Sequence, residues 1–257
     1  MGPVTSLFVE GPSGRIKIDD GGSGAALPAL LIHGLAGSSS QWSAQLRHLR
    51  RRRRAVALDL RGHGASEGSA PFSIEAFADD ALAVADALDL RRFALLGFSL
   101  GGHVAGAVAG RVPERVAGVF LVDPASALTL LPAGDREADL AAAASDLGAF
   151  FAPMLQGARA AVRTRVLAEA RATRPEVVLA SLRALWTHDP VPPLRRYLAS
   201  GGKARAVLSE QGRANPRRLH ALLPEVTEEI LPGTSHWLMM DEPDELQPRL
   251  DAFLLSL

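Results

Sequence analysis

The stretch LLGFSLGGH, residues 95–103, decides the fold. It closes the apolar run FALLGF (93–98) and opens LGGHVAGAVAGRV, whose small and apolar residues recur at helical spacing. Between them lies Gly97-Phe98-Ser99-Leu100-Gly101, a G-x-S-x-G sequence. A strand that turns sharply into a helix at a serine lifts the hydroxyl clear of the backbone, and the flanking glycines leave room for the turn. The helix start then aims free N–H groups at the place where negative charge develops. The pattern recurs as GASEG (64–68) around Ser66, but this copy follows DLRGH in a Gly-rich loop and neither ends a strand nor starts a helix. Ser99 is therefore the candidate nucleophile, and Ser66 is not.

Around this stretch, ALLIH (29–33), RAVALDL (54–60) and VAGVFLVD (116–123) are further apolar, β-branched runs. Such continuous runs suit central strands buried on both faces. Helical patterns near 39–49, 73–89 and 100–111 separate them, which argues for a mainly parallel sheet covered by helices. SLFVE and RIKID across the turn GPSG suggest an opening antiparallel hairpin at 6–18. Residues 128–189 contain no convincing strand and are rich in Ala, Leu, Arg and Glu, so a helical insert is expected there. ARAVLSE, a helix at 216–222, TEEILPG and a final helix then resume the alternation.

Composition narrows the function. The 257 residues are 47% hydrophobic and 22% charged, and Lys plus Arg equals Asp plus Glu at 28 each. No global field favours nucleic acid or an anionic membrane, and neither is an expected partner. The run RHLRRRRR (47–54) reads as the exposed end of a helix and the loop before a strand. With no Cys there is neither thiolate catalysis nor a Cys-ligated metal, and no His–carboxylate pair has metal spacing, so no cofactor or metal is expected. MGPVTSLFVEGPSG lacks a basic segment followed by an apolar run, and a cytoplasmic location is the default expectation.

Four loops now carry a resemblance to the α/β-hydrolase superfamily. LLIHGLAGSSSQW (30–42) looks like that family's oxyanion loop, and DLRGHGAS (59–66) like the loop after the next strand. GFSLGG looks like its nucleophile elbow, and LPGTSHWLMMDEP (231–243) like the loop that carries its histidine. The resemblance implies an eight-stranded, mostly parallel sheet flanked by helices, with a helical cap after the sixth strand. The core would comprise 1–127 and 190–257, and the cap 128–189. It also implies Ser99 as nucleophile, His236 as its base, and an oxyanion hole made by the backbone N–H groups of Leu35 and Leu100. His33 resembles a residue that organises the oxyanion loop, whereas His63 and His103 read as packing or hydrogen-bonding groups.

A carboxylate must hold the base in the right tautomer. The family's usual slot, after the seventh strand, reads Ser209-Glu210-Gln211-Gly212 and lacks the aspartate. Some branches carry the acid one strand earlier, and Asp123 ends VAGVFLVD; Glu210 is the alternative. Asp189 and Asp241 read as turn and helix-cap residues.

The expected activity is that of a serine hydrolase on a carboxylic ester, with a small-molecule acyl substrate and an acyl-enzyme intermediate. Thioesterase, lactonase, C–C bond hydrolase and cofactor-free perhydrolase share the same constellation. If Gly212 marks a decayed site, a small-molecule-binding receptor is the non-enzyme alternative. Oligomeric state is open.

Overall fold

The computed structural model describes residues 5–257; residues 1–4, which begin the stretch read above for a leader, lie outside it. Eight strands form one sheet: β1 (Thr5–Gly11), β2 (Gly14–Gly21), β3 (Ala26–Ile32), β4 (Arg53–Leu58), β5 (Phe93–Phe98), β6 (Val116–Val122), β7 (Ala204–Leu208) and β8 (Thr227–Ile230). Their order is β1-β2-β4-β3-β5-β6-β7-β8. β2 is antiparallel to both its neighbours, and all pairs from β4 onward are parallel. This is the fold class expected from the sequence. β5 and β6 are buried at every position, because helices cover both faces of the sheet and the strands have no polar side to show.

The helices are α1 (Ser43–Leu49), α2 (Ile74–Ala87), α3 (Leu100–Arg111), α4 (Ala133–Ser145), α5 (Leu147–Phe151), α6 (Ala160–Ala172), α7 (Pro175–Thr187), α8 (Val191–Ala199), α9 (Glu210–Ala214), α10 (Leu219–Leu222), α11 (Leu238–Asp241) and α12 (Pro243–Leu255). α4 to α7 lie between β6 and α8, so the stretch 128–189 is helical and strandless. Three readings need correction. The helix expected at 39–49 begins as a 3₁₀ turn, Ser39–Trp42, before α1. The helix expected at 216–222 is only α10, and α9 precedes it unforeseen, capped by the Ser209 hydroxyl. The basic run is more than an exposed end: Arg50, at the end of α1, pairs with Asp19 at 2.8 Å and Arg54, in β4, with Asp20 at 2.6 Å, tying both to the antiparallel strand β2. Among the described residues no helix is long and apolar enough to cross a membrane.

The loop after β4 is fixed to α2 by a buried ion pair. The Arg61 guanidinium donates to both Asp80 oxygens at 2.7 Å and also to the Ala76 carbonyl at 3.0 Å. Both side chains are almost wholly out of solvent. Removing one partner of such a pair strands the other charge in low dielectric, which costs far more than the pair itself contributes. Asp80→Ala is expected to lower the unfolding free energy by about 3–5 kcal/mol, measured by urea denaturation.

Candidate active site

β5 delivers Ser99 into a backbone state that L-residues avoid, φ 51° and ψ −116°. The turn fits because nothing projects from the residues around it. A Cβ on Gly97 would lie 2.3 Å from the Gly101 carbonyl oxygen, and one on Gly101 would lie 2.3 Å from that of Ile32. The Ser99 hydroxyl makes no capping bond to its own helix. Leu100 begins α3, so its N–H has no intrahelical acceptor.

Asp123 follows β6 and is also strained, at φ 37°. Its own N–H continues the ladder to the Val207 carbonyl at 2.8 Å, which holds the residue against the end of β7. There the carboxylate gathers three donors. The Ser209 N–H reaches Oδ1 at 3.1 Å, the Ser209 hydroxyl reaches Oδ2 at 2.7 Å, and His236 Nδ1 lies 2.8 Å from Oδ2. An ionised carboxylate only accepts, so Nδ1 carries the proton and Nε2 is left as a base. Glu210 is exposed at the start of α9. Gly212 lies where an aspartate was missed: a Cβ there would stand 2.0 Å from Asp123 Oδ1. The position lacks a side chain because the Asp123 carboxylate fills the space.

His236 leaves the histidine loop against Phe98, with ring centroids 4.8 Å apart. Its N–H donates to the Met154 carbonyl of the insert at 3.1 Å. Asp241, read from sequence as a helix cap, instead accepts from the Ser235 N–H at 2.9 Å, the Ser235 hydroxyl at 2.6 Å and the Arg159 N–H at 3.1 Å. It braces the loop just before His236. Ser99, Asp123 and His236 border one cavity of about 480 Å³, walled on the insert side by Leu128, Phe150, Phe151, Met154, Leu182 and Trp186. No hydrogen bond among those of the described residues joins Ser99 to His236.

Leu35 also borders the cavity, in a turn closed by Gly37 N–H to the Gly34 carbonyl at 3.2 Å. His33 supports that turn. It accepts the Leu60 N–H at Nε2, 3.0 Å, so Nδ1 must be the protonated nitrogen facing the Gly34 carbonyl at 2.7 Å. From the insert, Glu169 accepts the Ser40 hydroxyl at 2.6 Å and the Gln41 amide at 2.8 Å. Sequence reading missed Ser209, Glu169 and this use of Asp241. Ser209 could have been flagged as a helix cap, but nothing local marks Glu169, which acts on residues about 130 positions away.

Burial keeps three histidines near these loops neutral: His33 is lowered, His63 falls to about 3, and His103 to about 4. Their unfolded values lie near 6.5. Above that, folded and unfolded chains hold equal protons at these sites. Below it, the unfolded chain binds protons that the folded one refuses, so stability falls as pH drops from about 6.5 towards 4. The expected slope is about 1.4 kcal/mol per pH unit for each of His63 and His103, read from urea midpoints between pH 7 and 4.5. His63→Phe should flatten it.

A model of the Alpha/beta hydrolase family matches residues 29–247. The chain is 30% identical, over 91% of its length, to the dihydrolipoyllysine-residue acetyltransferase component of an acetoin cleaving system from Pseudomonas putida. It is 36% identical, over 40% of its length, to a 2-hydroxymuconate semialdehyde hydrolase from Pseudomonas sp. (strain CF600). The matches span 65% and 38% of those two relatives' own lengths, less than two thirds in each case. Among solved structures, an esterase from Thermogutta terrifontis superimposes with a TM-score of 0.82 at 21% identity, covering 98% of both chains. An enol-lactonase from Burkholderia xenovorans LB400 gives 0.82 at 19%, covering 98% of this chain and all of the other (100%). At those identities the likeness is one of fold.

Proposed function

The chain belongs to the alpha/beta hydrolase family, and on that premise we propose that it is a serine hydrolase acting on carboxylic esters. The observation that carries this reading is the 2.8 Å contact between His236 Nδ1 and Asp123 Oδ2, at a cavity that Ser99 shares. In the proposed reaction His236 Nε2 takes the Ser99 proton as Oγ bonds to the ester carbonyl carbon. The Leu35 and Leu100 N–H groups receive the oxyanion, and the strained elbow holds the nucleophile so that these donors need not reorganise. The alcohol leaves with the proton from His236. Water then gives a proton to His236 and attacks the acyl carbon; the bond to Oγ breaks, His236 returns the proton to Ser99 Oγ, and the acid leaves. Asp123 holds the imidazole in this tautomer and stabilises the imidazolium, while the Ser209 N–H and hydroxyl hold the carboxylate in place. The helical insert serves as a cap over the acyl chain.

A second reading, C–C bond hydrolysis on the same triad, is favoured by the similarity to the 2-hydroxymuconate semialdehyde hydrolase. Faster consumption of that semialdehyde than of p-nitrophenyl butyrate by the purified protein would select it.

Ser99→Ala is expected to reduce p-nitrophenyl butyrate turnover to the buffer rate. Asp123→Asn should lower kcat by about 10³–10⁴, since it leaves the imidazole in the wrong tautomer, while Glu210→Gln leaves turnover essentially unchanged. Loss with Glu210→Gln and retention with Asp123→Asn would overturn the assignment of the acid. Absence of turnover with both substrates in the wild type would favour a binding protein. Gly212→Ala tests the packing argument: its methyl must displace the Asp123 carboxylate, at a cost of about 1–3 kcal/mol in stability. Its kcat should fall far more than that of Gly134→Ala, a position where a Cβ meets nothing within 4 Å.

A further inference from the structure

The cavity beside Ser99 has an uneven charge inventory. Among its described lining residues the titratable side chains are Asp123, His236 and Asp139, and none is lysine or arginine. Asp123 and His236 are hydrogen-bonded to each other. Asp139, on α4, does not belong to that pair, and no ion pair to it is found among the described residues. It is partly buried, and that burial, with Asp135 one turn earlier on α4 adding like charge, holds its carboxyl above the usual range. Arg136, three residues before it on the same helix, does not line the cavity. Much of the remaining wall is hydrocarbon and aromatic, with Gln211, Asn215 and Ser126 as neutral polar groups.

Resting on the serine-hydrolase reading, we propose that Asp139 is a specificity-determining residue. It admits esters whose acyl chain is uncharged or ends in a cation or hydrogen-bond donor, and bars esters whose acyl chain ends in a carboxylate. A carboxylate carried into this cavity loses its water and finds no cation to replace it. It also meets the Asp139 charge across a medium that screens less than water does. An alkyl chain meets neither penalty and gains contact with the apolar wall. An ammonium group would instead pair with Asp139.

The test compares kcat/KM of the purified full chain for p-nitrophenyl hexanoate and for the p-nitrophenyl monoester of adipic acid, equal in carbon count and differing in one terminal carboxylate. The wild type should favour the hexanoate by more than about tenfold, equivalent to about 1.4 kcal/mol. Asp139→Asn should shrink that ratio severalfold, and Asp139→Lys should shrink it further. Glu137→Gln, which removes an exposed charge of the same sign from the same helix without touching the cavity, should leave the ratio in place. A wild-type ratio near one overturns the proposal, as does a ratio that neither Asp139 variant moves or that Glu137→Gln moves equally. If hexanoate itself is not hydrolysed, the hydrolase reading has failed and the proposal falls with it; hexanoate turnover without charge selection sinks the proposal alone.

Discussion

Everything at the site hangs on one buried carboxylate, Asp123, and on the three donors it collects at the end of two adjacent parallel strands. A charge removed from water must be met by hydrogen bonds, or it protonates or unfolds its surroundings. Here the β6–β7 register supplies them. Asp123 N–H completes the ladder to Val207, which places the carboxylate beside the Ser209 backbone and hydroxyl. The same hydroxyl then accepts the Gly212 N–H at 3.0 Å and starts α9. One serine thus satisfies the acid and turns the chain away from it. The φ of 37° at Asp123 is tolerated because the ladder on one side and three donors on the other leave it no alternative.

The helical insert reaches past the cavity wall to the loops beneath it. Two of its main-chain or side-chain acceptors hold the loops that border the cavity: the Met154 carbonyl takes the His236 N–H, and the Glu169 carboxylate takes Ser40 and Gln41 in the loop after β3. Arg159 adds an N–H to the same Asp241 that braces Ser235. Core loops that would otherwise be anchored at their strand ends alone are therefore gripped from both sides. Loops tied down at both ends have few alternative conformations to adopt, and the insert supplies the second set of ties.

How much of this the sequence disclosed follows from which interactions are local. The central strands and the elbow were legible, because burial on both faces leaves continuous apolar runs and because the glycines of a sharp turn sit next to each other in the chain. α9 was not, since five residues containing a glycine and followed by Asn-Pro carry no periodic signal. Glu169 was invisible for a different reason: its meaning lies in a contact with residues about 130 positions away. Asp241 was misread because an acidic residue two places before a helix that starts at Pro243 looks like a cap, while its carboxylate points back to Ser235. Gly212 is the instructive intermediate. Its lack of a side chain was readable, but the cause is non-local: an Asp123 oxygen from the end of the neighbouring strand stands 2.0 Å from where a Cβ would be.

The two G-x-S-x-G sequences of this chain isolate what turns a pattern into a site. The Ser66 hydroxyl donates to the Asp59 carbonyl at 2.6 Å and accepts the Lys17 N–H at 2.8 Å, so both its functions are consumed in joining the loop after β4 to β2. The Ser99 hydroxyl caps nothing and borders a cavity. Its backbone strain is maintained by Gly97 and Gly101, each packed within 2.3 Å of a carbonyl oxygen at the Cβ position it lacks. A serine becomes available for chemistry when the fold stabilises its backbone by other means and leaves the hydroxyl without a structural partner. By that criterion the chain contains the motif twice and leaves only the Ser99 copy, among the described residues, with its hydroxyl at a cavity and off the helix cap.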